Sequence, residues 1–173
     1  MAEDIDQRYL AAAAEFGPAL TRLARAYEDD PDQRRDLLQE VHLALWRSLA
    51  VFDGRCSLRT WIYRVAHNVA ASHVAKRKRV RTRQVSLDEL SCAADRDDPE
   101  ATVGERRALA RLRDMVRALK APDSQIMLLY LEDLDASAIG EITGLSAGAV
   151  ATKISRVKAI LAGRFSQGGG DDA

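Results

Sequence analysis

Apolar residues recur every three or four positions along most of the chain, which is the spacing of helices that bury one face. In the first half, this pattern predicts three or four helices. The first spans about 5–27 and is kinked or broken at Pro18, the second begins at Pro31 with Asp30 as its cap, and Ser57 caps the third. The predicted buried positions of the second helix are Leu37, Val41, Leu45 and Leu49, widened by Leu38 and Trp46. Those of the third helix are Leu58, Ile62, Val65 and Val69.

The second half of the chain predicts a further group of helices. Asp123 is expected to cap one of them, and two short helices follow over 135–143 and 147–163, joined by a turn at 144–146. Four prolines and ten glycines are few for a strand-and-turn architecture, so the predicted fold class is all-α. The buried face of the first helix in this group comprises Leu109, Leu112, Val116 and Leu119.

An acidic stretch separates the two helical groups. The segment SLDELSCAADRDDPEAT, residues 86–102, has no sustained helical period and contains Pro99, so we predict a flexible linker. The predicted organisation has a helical domain at 1–84, a linker at 85–104, a second helical domain at 105–165 and a disordered tail at 166–173.

Composition narrows the class of protein. No stretch approaches the roughly 20 apolar residues of a membrane span, and the first residues, MAEDIDQRYL, are acidic where a signal peptide is basic. Cys56 and Cys92 lie far apart without a CxxC partner, so they predict neither a disulfide nor a zinc site. We therefore expect a cytoplasmic protein with free thiols, no membrane insertion, no cofactor and no bound metal.

Charge is segregated along the chain, although its formal sum is +0. Six basic residues fall within the eight positions 76–83, and seven acidic residues follow between Asp88 and Glu105. Screening limits the reach of each charge to about 8 Å at physiological salt, so a local basic block can bind a polyanion even on a neutral protein. The alternative is a solvated helix end.

The third helix carries aromatic and basic side chains ahead of this block. Trp61, Arg64 and Asn68 share one flank, and Tyr63 and His67 share another. Aromatic rings stack on unpaired bases, and Arg and Asn bind base edges or phosphates. An alternative interpretation places Trp61 in the core. The candidate nucleic-acid contacts are Trp61, Arg64, His67, Asn68, Lys76, Arg77, Lys78 and Arg79.

Residues 135–161, DASAIGEITGLSAGAVATKISRVKAIL, have the spacing of a DNA-binding helix-turn-helix. Gly144 can adopt the positive φ that ends the first helix, and Ser146 can cap the second. The outward face of the second helix is basic, and its N-terminal half is the part that enters a major groove. A plain helical hairpin with a solvated basic face is the alternative. The candidate duplex contacts are Ser146, Ala147, Ala149, Thr152, Lys153 and Arg156.

The second helix also has a polar stripe, opposite or oblique to its apolar one. An exposed leucine flanked by carboxylates and an amide suits a protein-docking face. A solvated face with one stray leucine is the alternative. The stripe comprises Asp36, Glu40, Leu43 and Arg47, with Gln39 beside it.

Two long segments carry a family resemblance. The segments DLLQEVHLALWRSLAVFDGRCSLRTWIYRVAHNVAASHVAKRKR and LKAPDSQIMLLYLEDLDASAIGEITGLSAGAVATKISRVKAIL resemble, in this order, regions two and four of bacterial sigma factors of the extracytoplasmic-function (group four) class. This resemblance implies a subunit that binds core RNA polymerase at the β′ clamp helices and the β flap. It also implies promoter DNA and an anti-sigma factor as partners.

The resemblance further implies roles for individual residues. Residues 52–68 would recognise the −10 element and hold non-template bases, and the helix that begins at Ala147 would read the −35 element. The face that would dock on the clamp helices comprises Asp36, Gln39, Glu40 and Leu43. The base-capturing loop and helix start comprise Arg55, Ser57 and Thr60.

Two other classes of protein compete with a sigma factor. A stand-alone helix-turn-helix regulator with an N-terminal helical effector domain would usually bind half-sites as a dimer, but the chain shows no obvious dimerisation heptad. An enzyme acting on nucleotides would need a phosphate-cradling glycine loop or paired metal-binding carboxylates, and neither is visible. His42, His67 and His73 lack metal-ligand spacing. We therefore predict a sigma factor that is not an enzyme.

Overall fold

The computed structural model describes residues 2–83, 103–120 and 122–167. The helices within these ranges are α1 Ala2–Tyr27, α2 Pro31–Leu49, α3 Leu58–Arg83, α4 Val103–Arg117, α5 Asp123–Leu131, α6 Ala136–Thr143 and α7 Ala147–Gln167. All regular secondary structure of the described residues is helical, which confirms the all-α fold class. The helices form two compact units, one made of α1–α3 and the other of α4–α7.

Several helix ends differ from the predicted ones. α1 runs through Pro18 as one helix, so of the kink or break predicted there, the break is wrong. α4 begins at Val103, which makes the last two residues of the predicted linker helical, and α7 continues to Gln167, two residues into the predicted tail. The rest of that linker and tail lies outside the described residues, and the domain boundaries stay predictions.

In the first unit, each of the three helices packs against the other two. The apolar stripe of α2 is buried, as its spacing predicted. Asp30 caps this helix, because its carboxylate accepts hydrogen bonds from the backbone N–H groups of Asp32 at 3.0 Å and Gln33 at 2.9 Å. Full burial of one large aliphatic side chain contributes about 1.5–3 kcal/mol, so this stripe stabilises the unit substantially. It comprises Leu37, Val41, Leu45 and Leu49.

α3 buries a different face from the predicted one. Two alanines on this face let the helix approach its neighbours closely, and the Tyr63 ring fills the space beside them. The buried face is therefore turned by about one position along the helix. It comprises Ile62, Tyr63, Ala66 and Ala70. The remaining members of the predicted stripe are only half-buried, namely Leu58, Val65 and Val69.

The second unit has a core to which α4, α5 and α7 contribute. Leu112 and Leu119 pack against this core as predicted, whereas Leu109 is exposed, so only the C-terminal part of the predicted α4 face is covered. One buried cluster comprises Val116, Met127, Val157 and Leu161.

Asp123 does not cap α5, which corrects the prediction. It is the first residue of that helix, and the N-cap is Pro122, whose side chain makes no capping hydrogen bond. The Asp123 carboxylate bonds instead to two side chains of α7. The Asp123 carboxylate therefore makes tertiary hydrogen bonds and not the capping hydrogen bond that the local pattern predicted.

Gly140 lies where α6 closely approaches the turn that follows it. A Cβ atom at this position would lie 2.6 Å from the carbonyl oxygen of Leu145. We expect Gly140→Ala to lower the free energy of unfolding of this unit by about 1–3 kcal/mol, since overpacking forces the backbone to shift. Thermal and denaturant unfolding of the full chain measure the change.

Gly163→Ala is the matched control for this substitution. A Cβ atom at Gly163 meets no heavy atom within 4 Å, and the residue lies inside α7. Alanine there should leave stability unchanged or raise it by up to about 1 kcal/mol, because glycine weakens a helix interior. Equal effects of the two substitutions would show that the close approach does not constrain the turn.

Candidate nucleic-acid and polymerase interfaces

α6, α7 and the short turn between them form the predicted helix-turn-helix. Gly144 has φ 77°, and its backbone N–H donates to the Gly140 carbonyl at 2.8 Å, which ends α6. Ser146 caps α7, because its Oγ accepts from the backbone N–H of Ala149 at 3.3 Å and its carbonyl accepts from the backbone N–H of Val150 at 3.0 Å. The two local signals read from the sequence therefore have the predicted geometry.

The outward side of α7 carries the predicted duplex contacts. Ser146, Ala147, Thr152 and Arg156 are exposed, while Ala149 and Lys153 are half-buried. The Thr152 hydroxyl donates to the Gly148 carbonyl at 2.9 Å, which leaves its methyl group and its oxygen lone pairs for a contact with DNA. The face is accessible and basic, as a groove-binding helix requires.

A carboxylate that sequence reasoning missed lies beside the two basic residues of α7. Asp123 Oδ1 accepts from Lys153 Nζ at 2.8 Å, and Asp123 Oδ2 accepts from an Arg156 guanidinium nitrogen at 2.5 Å. The hydrogen bond from Lys153, followed by the one from Arg156, holds the pKa of Asp123 below its usual range despite the opposing effect of burial. The carboxylate is therefore ionised at neutral pH.

Trp61 lies half-buried at the start of α3. Its indole N–H donates to Ser48 Oγ at 3.1 Å, and its ring centroid lies 5.4 Å from that of Phe52. The Arg64 guanidinium lies 5.9 Å from the indole centroid, close enough for a cation–π contact. The ring is thus held in one orientation with part of its surface accessible, which is intermediate between the two interpretations open from the sequence.

The loop ahead of α3 positions three other predicted contacts. Ser57 Oγ accepts from the backbone N–H of Thr60 at 3.0 Å, which confirms Ser57 as the cap. The two hydroxyls lie 2.8 Å apart, and the Thr60 side chain is buried. Arg55 is exposed, and its Nε lies 2.9 Å from the Asp53 carboxylate. Arg55 is available for an anionic strand, whereas Thr60 serves the local packing in this arrangement.

His67 lies in the core and not on the surface of α3. It is buried, and its Nδ1 lies 2.7 Å from the Tyr27 hydroxyl oxygen. Burial lowers the pKa of His67 and raises that of Tyr27, so both groups are neutral at physiological pH. A base contact by His67 would require it to leave this site, and its role in binding stays a prediction. Asn68, the next residue, is exposed.

The basic end of α3 is partly neutralised from within the protein. Lys76 and Arg79 are exposed, but Arg77 is paired with the buried carboxylate of Glu28 at the end of α1. Burial would raise the pKa of Glu28, but hydrogen bonds from Arg77 and the Asp30 backbone hold it below its ordinary value. Lys76 and Arg79 are therefore better placed for phosphates than Arg77. The Lys78 side chain lies outside the described residues.

The polar stripe of α2 is exposed, as predicted. Leu43 is 49% exposed, and Trp46, three residues further along, is 42% exposed. The prediction that Trp46 widens the buried stripe is wrong, because its indole N–H donates instead to the Asp6 carboxylate at 2.7 Å on the surface. The accessible side chains of the predicted docking face are Asp36, Gln39, Glu40 and Leu43. Apolar surface beside carboxylates is the composition of a docking face.

His73 connects this stripe to the buried Glu28. Its Nε2 lies 3.5 Å from a Glu28 oxygen, and its Nδ1 lies 3.8 Å from a Glu40 oxygen. Glu28 and Arg77 flank the same site. The docking stripe and the basic end of α3 are thus linked through His73 and Glu28.

None of the seven described helices has both the length and the apolar content of a membrane span.

Both units match known domains. Residues 13–80 match the sigma-70 region 2 domain, and residues 109–161 match the sigma-70 region 4 domain. These two domains in this order define a transcription initiation factor that directs RNA polymerase to promoters. The chain belongs to the sigma-70 family, in the extracytoplasmic-function class. A stand-alone regulator is not favoured, because the N-terminal half, which would be its effector domain, matches sigma-70 region 2.

Individual relatives are similar to this chain over most of their length. The chain is 26% identical to the RNA polymerase sigma factor CnrH of Cupriavidus metallidurans over 86% of this chain and 81% of CnrH. It is 27% identical to the ECF RNA polymerase sigma factor SigW of Bacillus subtilis over 75% of this chain and 73% of SigW.

Solved structures are similar in fold. The structure of CnrH in complex with the cytosolic domain of CnrY superposes with a TM-score of 0.69 at 20% identity, covering 96% of this chain and 95% of that chain. The sigma factor RpoE of Bartonella quintana, in complex with the anti-sigma factor NepR, gives a TM-score of 0.73 at 20% identity, covering 92% of this chain and 94% of that chain.

Proposed function

We propose that the exposed stripe of α2 docks on the β′ clamp helices of core RNA polymerase, that the start of α3 recognises the −10 element, and that α7 reads the −35 element. The observation that carries this proposal is the pairing of a region 2 and a region 4 domain in one chain, each with an accessible face at the predicted residues. The α4–α7 unit would also contact the β flap.

Strand opening would be driven by binding and not by a chemical reaction. Unstacking and unpairing a base costs a few kcal/mol, and a protein that binds the opened strand more tightly than the duplex offsets that cost. Trp61 supplies an aromatic surface, and the exposed Asn68, Lys76 and Arg79 supply hydrogen bonds and positive charge along α3. We therefore assign no enzymatic activity to this chain.

Two units on one chain would bind one promoter together. While α7 holds the −35 duplex, the first unit is confined near the −10 element, and confinement raises its effective concentration. Weak contacts at each element then suffice for a stable complex. The linker predicted for this role lies mostly outside the described residues.

Transcription in vitro tests the proposed function. The full chain is combined with purified bacterial core RNA polymerase and a library of promoter fragments, and the transcripts are sequenced. We expect transcripts from a defined subset of fragments that core polymerase alone does not produce. Binding to duplex sites with no change in polymerase output would contradict the proposal and favour a stand-alone regulator.

An anti-sigma factor is the regulatory partner that we propose. Two solved structures with a similar fold are complexes, one of CnrH with the cytosolic domain of CnrY and one of RpoE with the anti-sigma factor NepR. The exposed Leu43 and Trp46 of α2 offer apolar surface for such a partner. A cytoplasmic location follows from this role, because core polymerase and promoter DNA are found there.

A further inference from the structure

One carboxylate contacts both basic side chains among the predicted duplex contacts of α7. Asp123 uses one oxygen for Lys153 and the other for Arg156, at 2.8 and 2.5 Å. Its side chain is only 19% exposed, while those of Lys153 and Arg156 are 28% and 59% exposed. Lys153 and Arg156 are thus held by a largely buried carboxylate, and the Arg156 side chain remains accessible to solvent.

This arrangement differs from an incidental surface ion pair. An exposed pair of long side chains is worth little, since solvent screens it and each chain loses rotamer freedom. Here two cations converge on one largely covered carboxylate, which comes from the first turn of α5, a different helix. Charge-assisted bonds of this kind fix side-chain orientation as well as adding energy.

We propose that Asp123 is a specificity-determining residue of the α7 surface, which orients Lys153 and Arg156 for base edges and offsets part of their attraction to phosphates. The proposal rests on the proposed reading of duplex DNA by α7. An arginine that is already oriented loses less freedom when it contacts a base. A carboxylate beside it weakens binding to any phosphate backbone, whatever the sequence.

Both effects raise discrimination between sequences. Sequence-independent binding depends on the number of phosphates neutralised, with a salt slope of about 0.9 per phosphate on duplex DNA. Asp123 lowers the net positive charge that α7 offers to phosphates. Base contacts with good geometry discriminate by about 1–3 kcal/mol each, and they depend on the orientation that Asp123 imposes. Removing Asp123 should therefore strengthen non-specific binding and weaken selection at the same time.

The test uses the full chain and its Asp123→Asn variant, which is nearly the same size and lacks the charge. Affinity for one mixed-sequence duplex is measured by fluorescence anisotropy at KCl concentrations from about 50 to about 300 mM. We expect the variant to bind this duplex about three- to tenfold more tightly at the lowest salt, with a salt slope steeper by about one. Selection from a randomised duplex library, followed by sequencing, measures discrimination, which should fall about tenfold.

Asp133→Asn is the matched control. Asp133 is exposed in the same unit and has φ 56°, a conformation that asparagine tolerates. It changes the net charge by the same amount but keeps the Asp123 carboxylate that Lys153 and Arg156 contact, so its salt slope and its sequence selection should equal those of the natural chain. Asp123→Glu keeps the charge and should restore part of the selection. Unfolding curves for all variants report any loss of fold.

The outcomes separate this inference from the proposed function. If the natural chain selects sequences and Asp123→Asn selects the same ones with the same salt slope, the role of Asp123 is refuted while reading by α7 stands. If Asp133→Asn matches Asp123→Asn, the effect is one of net charge and the inference again fails. If the natural chain selects no sequence and binds no duplex, reading by α7 fails, and the inference fails with it.

Discussion

Replacing Trp61 with alanine should slow promoter opening by about tenfold or more while leaving the initial binding of closed duplex almost unchanged. Stacking of an unpaired base on an aromatic ring is worth about 1–3 kcal/mol, and that contact exists only after the strands separate. The indole is held in place by Ser48 and Phe52, so little ordering remains to be done when a base arrives. Permanganate footprinting over time, with core polymerase and a supercoiled promoter, measures opening.

Because Trp61 also packs against its neighbours, the controls must separate stacking from folding. Ser48→Ala removes the hydrogen-bond partner of the indole but leaves the ring, so it should affect opening less than Trp61→Ala. Trp61→Phe retains an aromatic face and should recover most of the rate. Normal melting by Trp61→Ala in a folded holoenzyme would refute the stacking role. An equal loss in closed-complex binding would assign the residue to the structure of the unit.

The elements that the sequence predicted best are those whose stripes consist of large aliphatic residues. The α2 stripe from Leu37 to Leu49 is buried as predicted, and the aliphatic residues from Val150 to Leu161 are buried at the same helical spacing in α7. Burial of such side chains is favourable in almost any packing, so periodicity alone decides the face. The local helix-end signals at Asp30, Ser57 and Gly144 were also confirmed, because each depends only on residues within four positions of it.

The α3 face could not be predicted in the same way. Its valines and its small and aromatic residues are alternative candidates for the buried face. Which of them is buried depends on how closely α1 and α2 approach α3. Ala66 and Ala70 permit that approach, and Tyr63 fills the remaining space. Periodicity gives the helix and its approximate face, while close packing against neighbours gives the final rotation.

The two internal carboxylates were missed for a related reason. Asp123 follows a proline and resembles a helix cap, yet its partners lie on α7, about thirty residues later. Glu28 looks like an ordinary solvated acid at a helix end, but it is buried and paired with Arg77 of α3. Such pairs depend on the tertiary fold, and a single sequence holds no local signal for them.

Charge reversal on the docking stripe, by Asp36→Lys together with Glu40→Lys, should weaken binding to core polymerase by about 30-fold or more. Both side chains are exposed on one face of α2, and a complementary surface on the partner would then meet like charge. Such juxtaposition costs several kcal/mol, of which salt screens part. Co-purification and competition binding with purified core polymerase measure the loss, which should shrink as the salt concentration rises.

Asp36→Lys alone is the more informative of the two substitutions. The Glu40 carboxylate lies 3.8 Å from His73, so its reversal also disturbs the charges around Glu28, whereas Asp36 takes no part in that cluster. Glu15→Lys makes the same charge change at an exposed position on α1 and should bind normally. If Asp36→Lys retains full affinity, the stripe is a solvated surface and polymerase must dock elsewhere. If Glu15→Lys loses as much affinity for core polymerase as Asp36→Lys, binding depends on overall charge and no particular face of α2 is recognised.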